Sequence, residues 1–144
     1  FYLASSRVDL TSTESEDLLK LVDVLEGLPA APALIVVDTL ARAFTGDENS
    51  SQDVGKFVAV LDLLRQHTGA AVLVVHHSGK DRDKGARGST ALLGAADTML
   101  ALEKTRGGTG VIVKNPKQKD AAEFTDYLLA TRSIVVDPDA DDEH

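Results

Sequence analysis

Three strings place chemically capable side chains in one order along the chain. Leu34-Ile35-Val36-Val37 runs into Asp38 and Thr39. Val72-Leu73-Val74-Val75 runs into His76 and His77, and Ala86-Arg87-Gly88-Ser89-Thr90 follows. A carboxylate at the end of an apolar run can hold Mg²⁺, directly or through a water, while the metal bridges nucleotide phosphates. The plainer reading of Asp38 is a helix cap after a strand. Adjacent histidines on extended backbone point to opposite sides, so His76 and His77 are poorly placed to share one metal. One imidazole can instead hydrogen-bond a terminal phosphate or an attacking water, with the other packed or exposed. Arg87, between small residues, can grip a phosphate through two N–H groups, or it can be an ordinary solvated arginine. Lys117 and Lys119 are two apart, and on extended backbone they face the same way. They can meet one phosphate across a subunit interface, or form an exposed basic turn. Lys80, Arg82 and Lys84 read as diffuse charge, for a single-stranded nucleic-acid backbone or for solubility.

These side chains need strands to carry them. Ala33–Val37 and Ala70–Val75 are continuous apolar runs, the pattern of strands buried on both faces. Between them, Val54, Phe57, Val58, Leu61 and Leu64 repeat at helical spacing, and Gly69 ends the helix. Upstream, Phe1–Ala4 reads as a strand end or a leading segment. Thr13-x-x-Glu16 has the form of a capping box. Leu18, Leu21, Val22 and Leu25 follow it on one helical face, and Gly27 with Pro29 stops the helix. Thr45–Ser51 is a polar loop, and residues 78–90 read as a long mobile one. Thr98–Glu103, Val111–Lys114, Phe124–Ala130 and Ser133–Val136 read as late strands, the first two joined by a turn at Gly107-Gly108. Alternating strands and helices imply an α/β fold with a mainly parallel sheet, helices on both faces, and a late antiparallel extension. In such sheets ligands bind beyond the carboxyl ends of the strands, where Asp38 and His76–His77 are expected.

Composition sets the outer limits. At 144 residues and 43% hydrophobic content the chain suits one core, expected over residues 1–136, with an acidic, disordered tail at 137–144. Without cysteine there is no disulfide, thiolate metal site or cysteine nucleophile. The apolar runs are too short to span a bilayer and no secretory leader is visible, which points to the cytoplasm. The net charge of −8 argues against nucleic acid binding over the whole surface. Its distribution is uneven. Residues 1–53 hold ten acids and three bases, residues 54–119 five acids and eleven bases, and residues 120–144 eight acids and one base. The basic excess therefore coincides with the candidate loops. Aromatic content of 4% leaves no base-stacking platform.

Taken jointly, L-I-V-V-D-T-L-A-R-A-F with its G-D-E-N-S loop, V-L-V-V-H-H-S-G-K, and A-R-G-S-T-A-L-L-G-A-A-D resemble the RecA-like ATPases of the RepA type. These are ring-forming replicative helicases. V-K-N-P-K-Q-K-D is more loosely similar to the basic-finger stretch of the DnaB-type branch, with Lys119 where that pattern has arginine. The resemblance covers roughly residues 30–130. It implies part of a RecA-like P-loop NTPase core, with Asp38 as the Walker B acid associated with Mg²⁺ and Thr39 beside it on the nucleotide. It also implies His76 or His77 as the γ-phosphate sensor, and Arg87, Lys117 and Lys119 acting in trans. The implied cofactors are ATP and Mg²⁺. The implied partners are single-stranded DNA and further copies of the chain, in a ring of hexameric type. No G-x-x-x-x-G-K-[ST] string occurs, since Gly55-Lys56 and Gly79-Lys80 lack the earlier glycine. The family's phosphate loop and its catalytic glutamate are therefore expected upstream of residue 1, and these 144 residues alone are expected neither to hold nucleotide tightly nor to hydrolyse ATP. Two alternatives stay open: a non-catalytic RecA-like binding or oligomerisation module, and a recombinase or clock-type relative.

Overall fold

The computed structural model describes residues 2–4, 6–77 and 90–134. The chain divides into two compact units, Phe1–Ala95 and Ala96–His144. The first unit contains α1 (Glu16–Glu26), β1 (Leu34–Asp38), α2 (Leu40–Ala43), α3 (Ser51–Thr68), β2 (Ala71–Val75) and α4 (Thr90–Ala95). The second contains β3 (Thr98–Lys104), β4 (Gly110–Gln118) and β5 (Tyr127–Ala130).

In the first unit β1 and β2 pair in parallel, in register from Leu34 opposite Ala71 to Asp38 opposite Val75. The helix between them is fixed at both ends. The Ser50 hydroxyl accepts from the Asp53 amide at 3.2 Å. Gly69 takes the left-handed conformation, φ 72°, and returns its N–H to the Arg65 carbonyl at 2.8 Å. Along α3, Val54, Phe57, Val60 and Leu64 are buried on one stripe, and Phe57, Val60 and Leu64 are wholly enclosed. They cluster with Leu10, Leu18, Val37, Leu40, Ala43 and Phe44. All four helices contribute to this single cluster, Ala91 and Leu92 of α4 from its margin.

The two strands were expected to be buried on both faces, and among the described residues one face only is packed. Ile35, Val37 and Val74 join the core, whereas Leu34, Val36 and Leu73 are about half exposed. An apolar run shows that a strand tolerates burial on both sides; it does not supply the second covering layer. The start of α1 also differs from expectation. Ser15, not Thr13, is the N-cap: its hydroxyl accepts from the Leu18 amide at 3.1 Å and donates to the Asp9 carbonyl at 2.8 Å. A hydroxyl that serves both the helix and a neighbouring segment outcompetes one that serves the helix alone. Residues 2–4, expected as a strand end, have no regular structure.

The second unit is an antiparallel meander, β3-β4-β5. Its β4 outruns the expected Val111–Lys114 and continues through Pro116 to Gln118. Proline offers no N–H to a ladder, and the pairing slips between Met99 and Ala101. Asn115, buried to 5% exposure, repairs the slip. Its Nδ2 donates to the Met99 and Lys117 carbonyls at 3.0 and 2.9 Å, and its Oδ1 accepts from the Phe124 amide at 3.3 Å. The last strand is shorter than expected, beginning at Tyr127 rather than Phe124. Residues 131–134 form no strand, and the remainder of the expected Ser133–Val136 strand, with the acidic tail, lies outside the described residues.

Because Phe57 is fully enclosed, Phe57→Ala should cost about 3–5 kcal/mol, read by chemical denaturation. Leu63→Ala, on the partly exposed side of the same helix, should cost far less; equal losses would displace the core from this stripe.

Candidate functional site

Parallel register brings the two candidate strand ends together. Asp38 closes β1 directly opposite Val75, so His76 leaves β2 one residue beyond the pair. Asp38 is exposed, and its carboxylate makes no hydrogen bond or ion pair among the described residues. It does not cap the following helix: the N-cap of α2 is Thr39, without a side-chain bond. The Asp38–Thr39 peptide is cis. Among the described residues no three His, Asp or Glu side chains converge as a metal cage. A single open carboxylate at a strand end still fits the way Mg²⁺ is held beside nucleotide, with one protein carboxylate and the remaining ligands from phosphate and water.

The two histidines have different surroundings. His76 Nε2 lies 3.2 Å from Glu48 Oε2, with both side chains about one-third exposed. His77 is exposed and has no such partner among the described residues. Arg87, with Lys80, Arg82 and Lys84, lies outside the described residues. Lys117 and Lys119 belong to the second unit. Lys117, expected on an extended segment after the strand, sits within β4 itself, opposite Met99. Just beyond the strand, Lys119 donates its amide to the Asp97 carbonyl at 2.9 Å and its ammonium lies 3.2 Å from the Asp97 carboxylate.

Sequence reading missed Glu48 as a partner. The loop that carries it, Thr45 to Ser50, is tightly built. A Cβ on Gly46 would stand 2.8 Å from the Phe44 ring and 2.9 Å from Asp53 Cβ, so only glycine passes there without displacement. Asp47 Oδ1 accepts from the Asn49 amide and side-chain nitrogen at 2.9 and 3.1 Å, and the Ser50 amide closes the turn on the Asp47 carbonyl. Ser50 caps α3. Every polar neighbour of Glu48 in G-D-E-N-S thus has a local task, and Glu48 alone reaches across to His76. That leftover carboxylate was the available signal.

A second network fixes the front of the loop. Asp9 Oδ1 accepts from the Thr11 hydroxyl at 2.6 Å and the Thr11 amide at 3.0 Å, and Oδ2 from the Thr45 hydroxyl at 3.2 Å. The Thr45 amide donates to Thr11 Oγ1 at 2.9 Å, and the Leu10 amide to the Ala43 carbonyl at 2.8 Å. Burial pushes the Asp9 carboxyl up, but the Thr11 and Thr45 donors and the charge of Arg7 outweigh it and hold it below its ordinary value.

The profile of the AAA domain family matches residues 3–83. Among solved structures, the RadB recombinase is similar, with a TM-score of 0.55 at 16% identity over 82% of this chain and 57% of that chain. The chain therefore spans little more than half of that structure's length. No curated protein matches the chain. At this identity the likeness shows the fold, a RecA-like α/β core.

A carboxyl held low in the folded state stabilises above its unfolded value of about 4, and the contribution is lost as pH falls through the lower folded value. Asp9→Asn should therefore lower stability at pH 7 and flatten its decline below about pH 4, measured by urea denaturation across that range. An acid limb as steep as in the wild type would remove Asp9 from the balance.

Proposed function

Because the chain belongs to the AAA domain family, we propose that it is part of the ATPase core of a RepA-type, ring-forming DNA helicase that acts in replication in the cytoplasm. The observation that carries this reading is the placement of Asp38 and His76 on adjoining ends of two paired parallel strands. There a metal-associated acid and a phosphate-sensing imidazole serve one nucleotide. The structural neighbour is a recombinase, which supports DNA as the class of partner.

Mg²⁺, when bound with ATP, supplies charge neutralisation for the phosphoryl group. Asp38 orients it, directly or through a water, with Thr39 alongside. One imidazole of the His76–His77 pair hydrogen-bonds at the γ-phosphate end. Arg87, with Lys117 and Lys119 in support, acts on the site of the neighbouring subunit in a hexameric ring. Catalysis on this scheme is positioning and electrostatics, with little covalent work by protein groups. The backbone cradle for the phosphates is not encoded in these 144 residues, so a segment outside them supplies it. The same observation favours a second reading, in which these residues serve as a non-catalytic module for nucleic-acid or subunit contacts.

The deciding measurement is ATP turnover, with and without single-stranded DNA, by the longer protein that carries this segment. Asp38→Asn should lower turnover at least tenfold, about 1.4 kcal/mol in the barrier, with an unchanged circular dichroism spectrum. Unchanged turnover would leave Asp38 without a catalytic role, and a wild type inactive under both conditions would favour the non-catalytic module.

A further inference from the structure

The 3.2 Å contact between Glu48 Oε2 and His76 Nε2 joins two segments that are 28 residues apart. We infer that Glu48 is a positioning residue for His76: its carboxylate holds the Nε2 proton, fixes the ring, and leaves Nδ1 as the nitrogen free to meet the reacting end of the nucleotide. The inference rests on the ATPase reading above and deepens it, since that reading assigns no role to Glu48 and does not choose between the two histidines.

The chemistry of the two groups is asymmetric. An ionised carboxylate only accepts hydrogen bonds. Whatever the charge of the imidazole, the nitrogen facing Glu48 must therefore carry a proton. In the neutral ring Nδ1 then holds the lone pair, which suits a water molecule that needs an acceptor. With the ring charged, Nδ1 donates, which suits a phosphate oxygen. The carboxylate thus settles which nitrogen is offered, and the charge of the ring settles what it offers. His77 has no carboxylate partner among the described residues, so of the two histidines His76 is the sensor.

The loop can sustain this role because Glu48 is not left to find its own position. On one side Thr45 is tied to Thr11 and Asp9. Gly46 threads between Phe44 and Asp53. The Asp47 turn sets the backbone direction on either side of Glu48, and the Asp47 amide donates to Asp53 Oδ2 at 3.3 Å. On the other side Ser50 is locked as the cap of α3. A flexible carboxylate facing an exposed histidine would lose much of the contact to side-chain entropy and screening. A braced loop removes the backbone share of that freedom and leaves only the side-chain rotamers to be ordered by the contact, which is how supporting residues orient a functional imidazole.

The test has two arms. In the first, long-range ¹H–¹⁵N spectra of the histidine rings are recorded on this 144-residue chain. His76 should show a protonated Nε2 whose resonance moves on Glu48→Ala and moves less on Glu48→Asp. The His77 ring resonances, as internal control, should stay in place. A His76 ring indifferent to Glu48, or His76 and His77 moving together, overturns the inference. In the second arm, Glu48→Ala is placed in the longer protein. kcat should fall about tenfold, within the range that mispositioning costs, with KM for ATP unchanged. In a His76→Ala background the same substitution should cost nothing further, because a residue that acts through another has no effect once that other is gone. Independent, multiplying losses overturn the positioning role even if the spectra show the contact. A wild type without ATPase activity in any condition sinks the ATPase reading and with it any catalytic use of the pair; the spectra then still report separately whether Glu48 holds His76.

Discussion

The first unit turns on one contact, the edge-to-face meeting of Phe44 and Phe57, ring centroids 5.5 Å apart at 60°. Phe44 ends the short helix that follows Asp38, and Phe57 sits nearly two turns into α3 at the centre of the core. Holding those rings together fixes the span of chain between them. Gly46 must then pass where no Cβ fits, and the remaining loop residues close their own turn. The pair supplies about 0.5–1.5 kcal/mol beyond the area it buries. Its larger effect is directional, because it aims the whole G-D-E-N-S segment at the end of β2.

This explains how a site can be built from weak parts. The Glu48–His76 contact is partly exposed, and pairs of that kind add little to stability in isolation. The Asp38 carboxylate makes no hydrogen bond or ion pair among the described residues. What places them is the ladder that sets Asp38 against Val75 and the packed helix between the strands. Rigidity comes from apolar burial and chemistry from groups that burial leaves exposed. That separation lets a carboxylate stay available for a ligand while its backbone is held.

Long periodic segments were the most legible in the sequence. The stripe from Val54 to Leu64 and the stop at Gly69 gave α3, and the two apolar runs gave β1 and β2 with their ends at Asp38 and before His76. Finer features were not legible, for physical reasons that differ. Ser15 displaced Thr13 as cap because its hydroxyl has a second partner in Asp9, a tertiary fact. The exposed face of Leu34, Val36 and Leu73 depends on what lies beside the sheet, which a strand's own residues do not encode. Glu48 is one acid among several in the acidic first third of the chain, and only the folded loop separates it from Asp47, whose Oδ1 already accepts twice from Asn49. The strand expected to end at Lys114 instead runs through Pro116, because a neighbouring side chain repairs the ladder.

That repair bears on how the chain ages. Asparagine side chains convert slowly to aspartate when the following backbone nitrogen attacks the amide carbonyl and closes a ring. At Asn115 the following nitrogen is that of Pro116, which bears no hydrogen and cannot complete the ring. The converted side chain would be ruinous here, since a carboxylate would face the Met99 and Lys117 carbonyls with no proton to give either. The same proline that interrupts the ladder therefore closes this route to the loss of the amide that mends it.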